Sequence, residues 1–380
     1  MEIPRFVQLS IEKLLGKQKV VLLYGTRRSG KTTIIETIFK DHPQDCLLLL
    51  GEDSQVADLL GLRTVANYRQ IVGDKKIIII DEAQAISNIG KILKLMIDNL
   101  KGITIIATGS SSFDLVNDAG EPLVGRNKDF YLFPVAQLEL SKIENRLETA
   151  NNLSERLIYG SYPELWHLDS HQEKEEYLKS LVNSYLLKDL LALTNVKGAD
   201  VLYRLLKLLA WQVGSQVSTV ELGNSLQLNK ETVERYLDLL TKVFIIFPLS
   251  GFSRNLRKEV TKSKKWYFYD NGIRNALIHN FSPLNLRNDI GSLWEHYFIS
   301  ERIKYNAAKA NAPQYYFWRT YDGQEIDLLE INSHQNLQAF ECKWGLKKTR
   351  IPAAFAKAYP DANWLEINKT NYLDWIVEEL

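Results

Sequence analysis

The sequence predicts an α/β fold at its N-terminal end, built on a parallel sheet, followed by helices and then an α+β unit. Three observations carry this expectation. Apolar runs at 20–24, 46–50, 77–80, 103–108 and 130–133 alternate with helical patterns up to about residue 145. Runs that are apolar at every position are strands buried on both faces, and the helices between them cover a parallel sheet. From 153 to 196 the pattern is helical and strand-free, and alternating strands return only in the last hundred residues.

Composition bounds what such a chain does. Its 380 residues fit two to four domains, and 45% hydrophobic with 24% charged residues is the balance of a folded protein. A net charge of +1 creates no global field toward DNA or membrane, so nucleic-acid contact requires a local patch. Two distant cysteines, Cys46 and Cys342, are no disulfide framework and suit a reducing cytosol. Residues 1–10 lack a basic start followed by a long apolar run, and no apolar run approaches the ~20 residues of a membrane helix. These features predict a cytoplasmic location without membrane partners.

The first strand runs into Gly25, Thr26, Arg27, Arg28, Ser29, Gly30, Lys31 and Thr32, which fit G-x-x-x-x-G-K-[ST] at every fixed position. A helical segment beginning at Thr33 follows, and strand–loop–helix is the context the motif requires. The glycines let backbone N–H groups cradle phosphate at a helix N-terminus. Gly25 to Thr33 are therefore the expected ATP-binding residues, with Lys31 on the β- and γ-phosphates and Thr32 on magnesium. The strand at 77–80 ends in Asp81 and Glu82, suited respectively to magnesium and to polarising the attacking water. The strand at 105–108 leads to Ser110, expected to sense the γ-phosphate or place the water, although serine-rich turns also occur without such a role. Arg126, after Gly125, is a candidate arginine finger or else a structural arginine.

Residues 153–196, broken at 160–163, predict a small helical lid or linker domain, or else helices that pack on the ATPase sheet. Helices at 201–213, 219–226 and 230–243, with Ser218 and Asn229 placed as N-caps, suggest a helix-turn-helix. Strands at 244–247 and 266–269 would complete a winged helix. Between them Arg254, Arg257, Lys258, Lys262, Lys264 and Lys265 form a basic wing that suits DNA phosphates, protein contact or a solvated loop.

In the last part, alternation along one strand puts Glu341 and Lys343 on one face, with Cys342 toward the core. A hairpin turning at 333–335 would set Asp327 beside Glu341, and Glu295 on the leading helix could approach from one side. Glu325 shares the face of Asp327 and is an alternative ligand. Glu295, Asp327 and Glu341 could hold magnesium while Lys343 orients a water at a scissile phosphate, the D…E-x-K pattern of restriction-type nucleases. A Glu–Lys pair on a strand face also serves solubility alone.

The motifs at 25–32, 77–83 and 108–111, the Gly125-Arg126 and Phe133-Pro134 pairs, Gly160-Ser161-Tyr162-Pro163-Glu164 and the segment 267–271 together resemble prokaryotic AAA-type ATPases with an uncharacterised nuclease-like C-terminal domain. The resemblance spans nearly the whole chain. It implies an AAA-type ATPase core at 1–145, a helical lid at 146–200, a winged helix at 201–280 and a restriction-endonuclease-like α+β domain at 281–380. The P-loop and the acidic strand end make ATP and Mg2+ the expected cofactors, the basic wing makes DNA an expected partner, and a homo-oligomer or a protein partner is also expected. Ser110 stands where many AAA proteins carry Asn, and no second sensor arginine is placed in the lid. The function expected is ATP hydrolysis coupled to a winged-helix and nuclease-like module acting on DNA. The alternative is a nucleotide switch with an inert nuclease-like fold.

Overall fold

The computed structural model describes residues 3–109, 123–186, 199–253, 264–309, 311–346 and 348–377. Ser110 and four of the six basic wing residues, Arg254, Arg257, Lys258 and Lys262, lie outside them. The chain forms two units, one of residues 4–134 with 242–244, the other of 1–3, 135–241 and 245–380.

The first unit holds a sheet of β1 (Val20–Gly25), β2 (Cys46–Leu50), β3 (Ile77–Asp81), β4 (Thr104–Gly109) and β5 (Asn127–Leu132). Every pairing is parallel and the order is β2-β3-β4-β1-β5. The three central strands β3, β4 and β1 are buried at every residue, as continuous apolar runs require, and β2 and β5 are partly exposed edges. Helix α1 (Phe6–Glu12) and α2 (Lys31–Asp41) cover the sheet through Ile11, Ile34, Ile35 and Ile38, which pack on Val21, Leu23, Ile79 and Ile106. Each such residue stabilises by about 1.5–3 kcal/mol through burial.

After a short helix at Gln137–Leu140, the second unit continues with α3 (Arg146–Tyr159) and α4 (His171–Ser180). Then come α5 (Ala199–Trp211), α6 (Thr219–Leu226) and α7 (Lys230–Lys242). Ser218 caps α6 by accepting from the Glu221 N–H at 3.4 Å, and Asn229 caps α7 by accepting from the Thr232 N–H at 2.8 Å. A Cβ on Gly223 would stand 2.7 Å from the Leu228 carbonyl oxygen, so the tight α6–α7 turn needs glycine there.

The strands of this unit are β6 (Gln216–Val217), β7 (Ile246–Gly251), β8 (Lys264–Phe268), β9 (Gln314–Arg319), β10 (Glu325–Ile331), β11 (Leu337–Cys342) and β12 (Asn363–Ile367). They form one seven-stranded sheet, β12-β11-β10-β9-β7-β8-β6. The join is the parallel pair β7–β9, Ser250 with Tyr316 and Gly251 with Phe317. Strand β7 starts two residues later than the apolar run at 244–247 suggests, because Phe244 has a left-handed backbone (φ +58°) that no strand accommodates. Helix α9 (Ile290–Ala308) covers this sheet after the shorter α8 (Asn271–Leu277). Its Trp294, Tyr297 and Phe298 pack with Tyr267, Phe317, Leu328, Phe340 and Tyr372.

Two sequence segments that carry the family resemblance meet in this core. Asp270 accepts from the Gly272 N–H (2.8 Å) and the Ile273 N–H (3.2 Å), capping α8, and from the Ser161 N–H (2.7 Å). A Cβ on Gly160 (φ +76°) would lie 2.1 Å from Asp270 Oδ1, and one on Gly272 would lie 1.9 Å from the Tyr159 carbonyl oxygen. Asn275 donates to the carbonyls of Leu157 and Ile158 at 3.0 and 2.8 Å. These residues dock α8 on the end of α3.

Gly272→Ala should therefore lower stability by about 2–3 kcal/mol in urea unfolding, since backbone must move to admit the methyl group. Gly291→Ala in α9, with open space around the added Cβ, should be neutral or mildly stabilising. Equal effects at the two positions would contradict the close approach described for Gly272.

Candidate functional site

The P-loop leaves β1 at Gly25 and enters α2 at Lys31. Arg28 (φ +63°) and Gly30 (φ +99°) are left-handed, the alternation that turns successive N–H groups to one side. Lys31 is 5% exposed and lies over the loop, donating to the carbonyls of Gly25 (2.8 Å) and Thr26 (3.0 Å). Ser29 Oγ donates to the Thr26 carbonyl at 2.8 Å, and Thr26 Oγ1 is buried without a hydrogen-bond partner among the described residues. Arg5 donates to the carbonyls of Ser29 and Phe133, both at 2.7 Å, tying the loop to the chain after β5. No motif includes Arg5, which stands twenty residues before the loop, so sequence pattern could not single it out.

Asp81 ends β3, and its neighbour β4 lies between β3 and β1. Register sets Leu23 opposite Thr108, so the tips of all three strands meet beside the loop. Thr32 Oγ1 donates to Asp81 Oδ2 at 3.4 Å, and Thr108 Oγ1 donates to Asp81 Oδ1. The Glu82 N–H is shared between Thr108 Oγ1 (3.0 Å) and Asp81 Oδ1 (3.1 Å), and the Glu82 carboxylate accepts from Gln84 Nε2. Thr32 and Asp81 thus form an oxygen pair that fits magnesium, and the cradle and ammonium beside them fit phosphate. Thr108, two residues before Ser110, is the strand-tip hydroxyl that touches Asp81. The sequence offered a threonine ending a buried strand, and only the strand order reveals its neighbour.

Arg126 lies away from its own P-loop. It precedes Asn127, which pairs with Val20 at the start of β1, whereas the P-loop leaves the other end of that strand. Its guanidinium pairs with Asp98. A six-residue strand separates it from its own loop by about 3.3 Å per residue, so Arg126 does not reach its own nucleotide site.

The C-terminal carboxylates do gather. Leu328 pairs with Phe340 across β10–β11, so Asp327 falls opposite Glu341, as the hairpin expectation required. Lys343 Nζ meets Glu341 Oε1 at 2.7 Å, and the Cys342 N–H donates to Asp327 Oδ2 at 2.8 Å. Glu295 reaches the same place from α9. The residue that stands among them is Lys265. Its Nζ is 3.3 Å from Glu295 Oε1, 4.0 Å from Asp327 Oδ1 and paired with Glu325 Oε1. Tyr267 Oη donates to Glu295 Oε1 at 2.6 Å. Lys265 is 1% exposed, which corrects its place in a solvent-facing basic wing, while Lys264 is exposed over the Trp266 ring. Glu341 Oε2 is buried without a hydrogen-bond partner, but among the described residues no three Asp, Glu, His or Cys side chains are arranged to hold a metal ion. Lys265, not a gap between carboxylates, stands among Glu295, Glu325 and Asp327. Strand alternation could place Lys265 on a face, but not bring that face to β10 and α9.

Burial sets the electrostatics here. Desolvation, with the Asp327 charge added, pushes the carboxyl of Glu295 up to about 8 and that of Glu341 up to about 7. Burial also raises Asp327, against the pull of Lys265. Burial would lower Lys265, yet Glu295, Asp327 and Glu325 together hold its ammonium above the usual lysine range.

Glu295 and Glu341 thus keep a proton in the folded chain that the unfolded chain releases near 4.5. Their contribution to stability is complete below that value and is lost as pH rises through 7 to 8. Unfolding free energy should fall as pH rises across this window, and Glu341→Gln should flatten the fall. Urea titrations at a series of pH values check it. A wild-type profile that rises across the window would contradict the assignment.

Residues 17–141 match the AAA domain family, residues 150–285 a domain of unknown function (DUF8612), and residues 290–373 a second domain of unknown function (DUF4143). An uncharacterized protein of Mycobacterium tuberculosis is 30% identical over 322 residues, covering 84% of this chain and 69% of that protein. An uncharacterized protein of Methanocaldococcus jannaschii is 23% identical over 385 residues, covering 96% and 84%. Among solved structures, the Thermotoga maritima RuvB Holliday junction branch migration motor is similar at 17% identity and a TM-score of 0.32, over 67% of this chain and 91% of that one. The chain belongs to the same family as the Mycobacterium tuberculosis protein, with an AAA domain followed by two domains of unknown function.

Proposed function

We propose that the chain binds and hydrolyses ATP with magnesium and passes its nucleotide state to the helical and C-terminal parts of the molecule, acting on or near DNA. The observation that supports this most is the Thr32–Asp81–Thr108 hydrogen-bonded set at the strand tips beside the P-loop. Loop amides and Lys31 bind the phosphates, Thr32 and Asp81 hold magnesium, and Glu82 takes the proton of the attacking water. Magnesium when bound supplies charge neutralisation at the phosphates. Thr108 positions Asp81 and the Glu82 backbone. Arg126, remote from its own P-loop, serves only a neighbouring subunit's nucleotide in this reading. In the second unit, α5, α6, α7 and the β6–β8–β7 strands are read as a winged helix, and β9 to β12 with α9 as a nuclease-like fold. Lys265 among the carboxylates favours the inert form of that fold over a cleaving one.

Lys31→Ala should cut ATP turnover by about 100-fold or more, and Glu82→Gln should bind ATP yet turn over about 100-fold more slowly. Thr108→Val should cost about tenfold through a misplaced Asp81. Steady-state phosphate release with a nucleotide-binding assay checks all three. Unchanged turnover in Glu82→Gln would remove it as the base.

DNA binding through the wing should be dominated by phosphate contacts and fall steeply with salt. Reversing Arg254, Arg257, Lys258 and Lys262 to Glu should abolish it. Fluorescence anisotropy on duplex DNA measures it, and affinity indifferent to both salt and charge reversal would move the wing to protein contact.

A further inference from the structure

We propose that Lys265 is a built-in cation that takes the place of a divalent metal in the C-terminal carboxylate pocket, so that this pocket binds no metal ion and cuts no phosphodiester. The proposal rests on the nuclease-like reading of β10 and β11 and adds what fills the centre. A divalent cation bridged by carboxylates lies at the point where their oxygens converge. Here that point, between Glu295 Oε1, Glu325 Oε1 and Asp327 Oδ1, is occupied by the Lys265 ammonium. Oxygen ligands approach magnesium at about 2.0–2.1 Å, so the metal and the ammonium cannot share the space.

The lysine is held there by the fold. Its strand β8 is paired on both sides, Lys265 with Gln216 of β6 and with Leu249 of β7. Its Nζ lies 5.5 Å from the centre of the Phe317 ring. Two residues further along the same face, the Tyr267 hydroxyl occupies Glu295 Oε1. The Cys342 N–H occupies Asp327 Oδ2, and Lys343 occupies Glu341 Oε1. Each carboxylate of the pocket thus has a protein donor. A buried ammonium without acid partners would be costly, and Glu295, Asp327 and Glu325 are the groups that hold Lys265 charged here.

Manganese binding to the full-length, nucleotide-free protein tests this by the loss of the free Mn2+ signal in electron paramagnetic resonance. Wild type should show no Mn2+ binding that depends on Asp327. Lys265→Ala should gain a site, binding Mn2+ about tenfold or more tightly than wild type, and Lys265→Ala with Asp327→Asn should lose it again. Wild-type binding abolished by Asp327→Asn would overturn the proposal. So would a folded Lys265→Ala that gains nothing. Circular dichroism checks folding. Should Lys265→Ala not fold, Lys265→Met keeps the buried stem and takes its place under the same two criteria. Should neither fold, the wild-type and Asp327→Asn measurements decide alone. ATP turnover is measured separately, so its absence would sink the ATPase reading while leaving this result untouched.

Discussion

Strand β7 pairs in parallel with β9 at Ser250–Tyr316 and Gly251–Phe317, and much of the second unit depends on that short junction. Without it, β6 to β8 would be a small hairpin sheet and β9 to β12 another. With it, Lys265 of β8 lies within reach of Glu325 and Asp327 of β10 and Glu295 of α9. A buried ammonium and three acids then satisfy one another where each alone would be costly to bury. The shared core of Trp294, Phe298, Phe317, Leu328 and Phe340 forms between this sheet and α9.

The acids at the P-loop and those around Lys265 differ in kind. In the first unit, Asp81 is met by neutral hydroxyls of Thr32 and Thr108 and by a backbone N–H, which orient the carboxylate without neutralising it. Such an acid remains available to a cation. In the second unit, a protein cation already neutralises the acids, and burial raises the carboxyls of Glu295 and Glu341 toward or above neutrality.

The family-like segments away from the P-loop also have a physical account. Gly160-Ser161 and Asp270 to Asn275 form one docking point, where two glycines admit a carboxylate and a carbonyl too close for any side chain. Their side chains serve backbone groups at the end of α3 and the start of α8. These residues thus have a packing role in the second unit.

The sequence by itself determined what local pattern controls. The parallel sheet follows from strands apolar at every position, the P-loop from glycine and lysine spacing within one strand–loop–helix, and the caps of α6 and α7 from Ser218 and Asn229. The opposition of Asp327 and Glu341 was also legible, since a hairpin's register is a local property. Tertiary structure alone decided the rest. Strand order put Thr108 between the P-loop and Asp81, parallel register put Arg126 at the far end of its strand from the loop, and the β7–β9 junction put Lys265 among acids from two distant segments. A lysine in a basic run reads as solvated because residue type carries a preference for water. Its burial depends on partners about 30 to 60 residues away in sequence, and no local pattern encodes which strands will lie side by side.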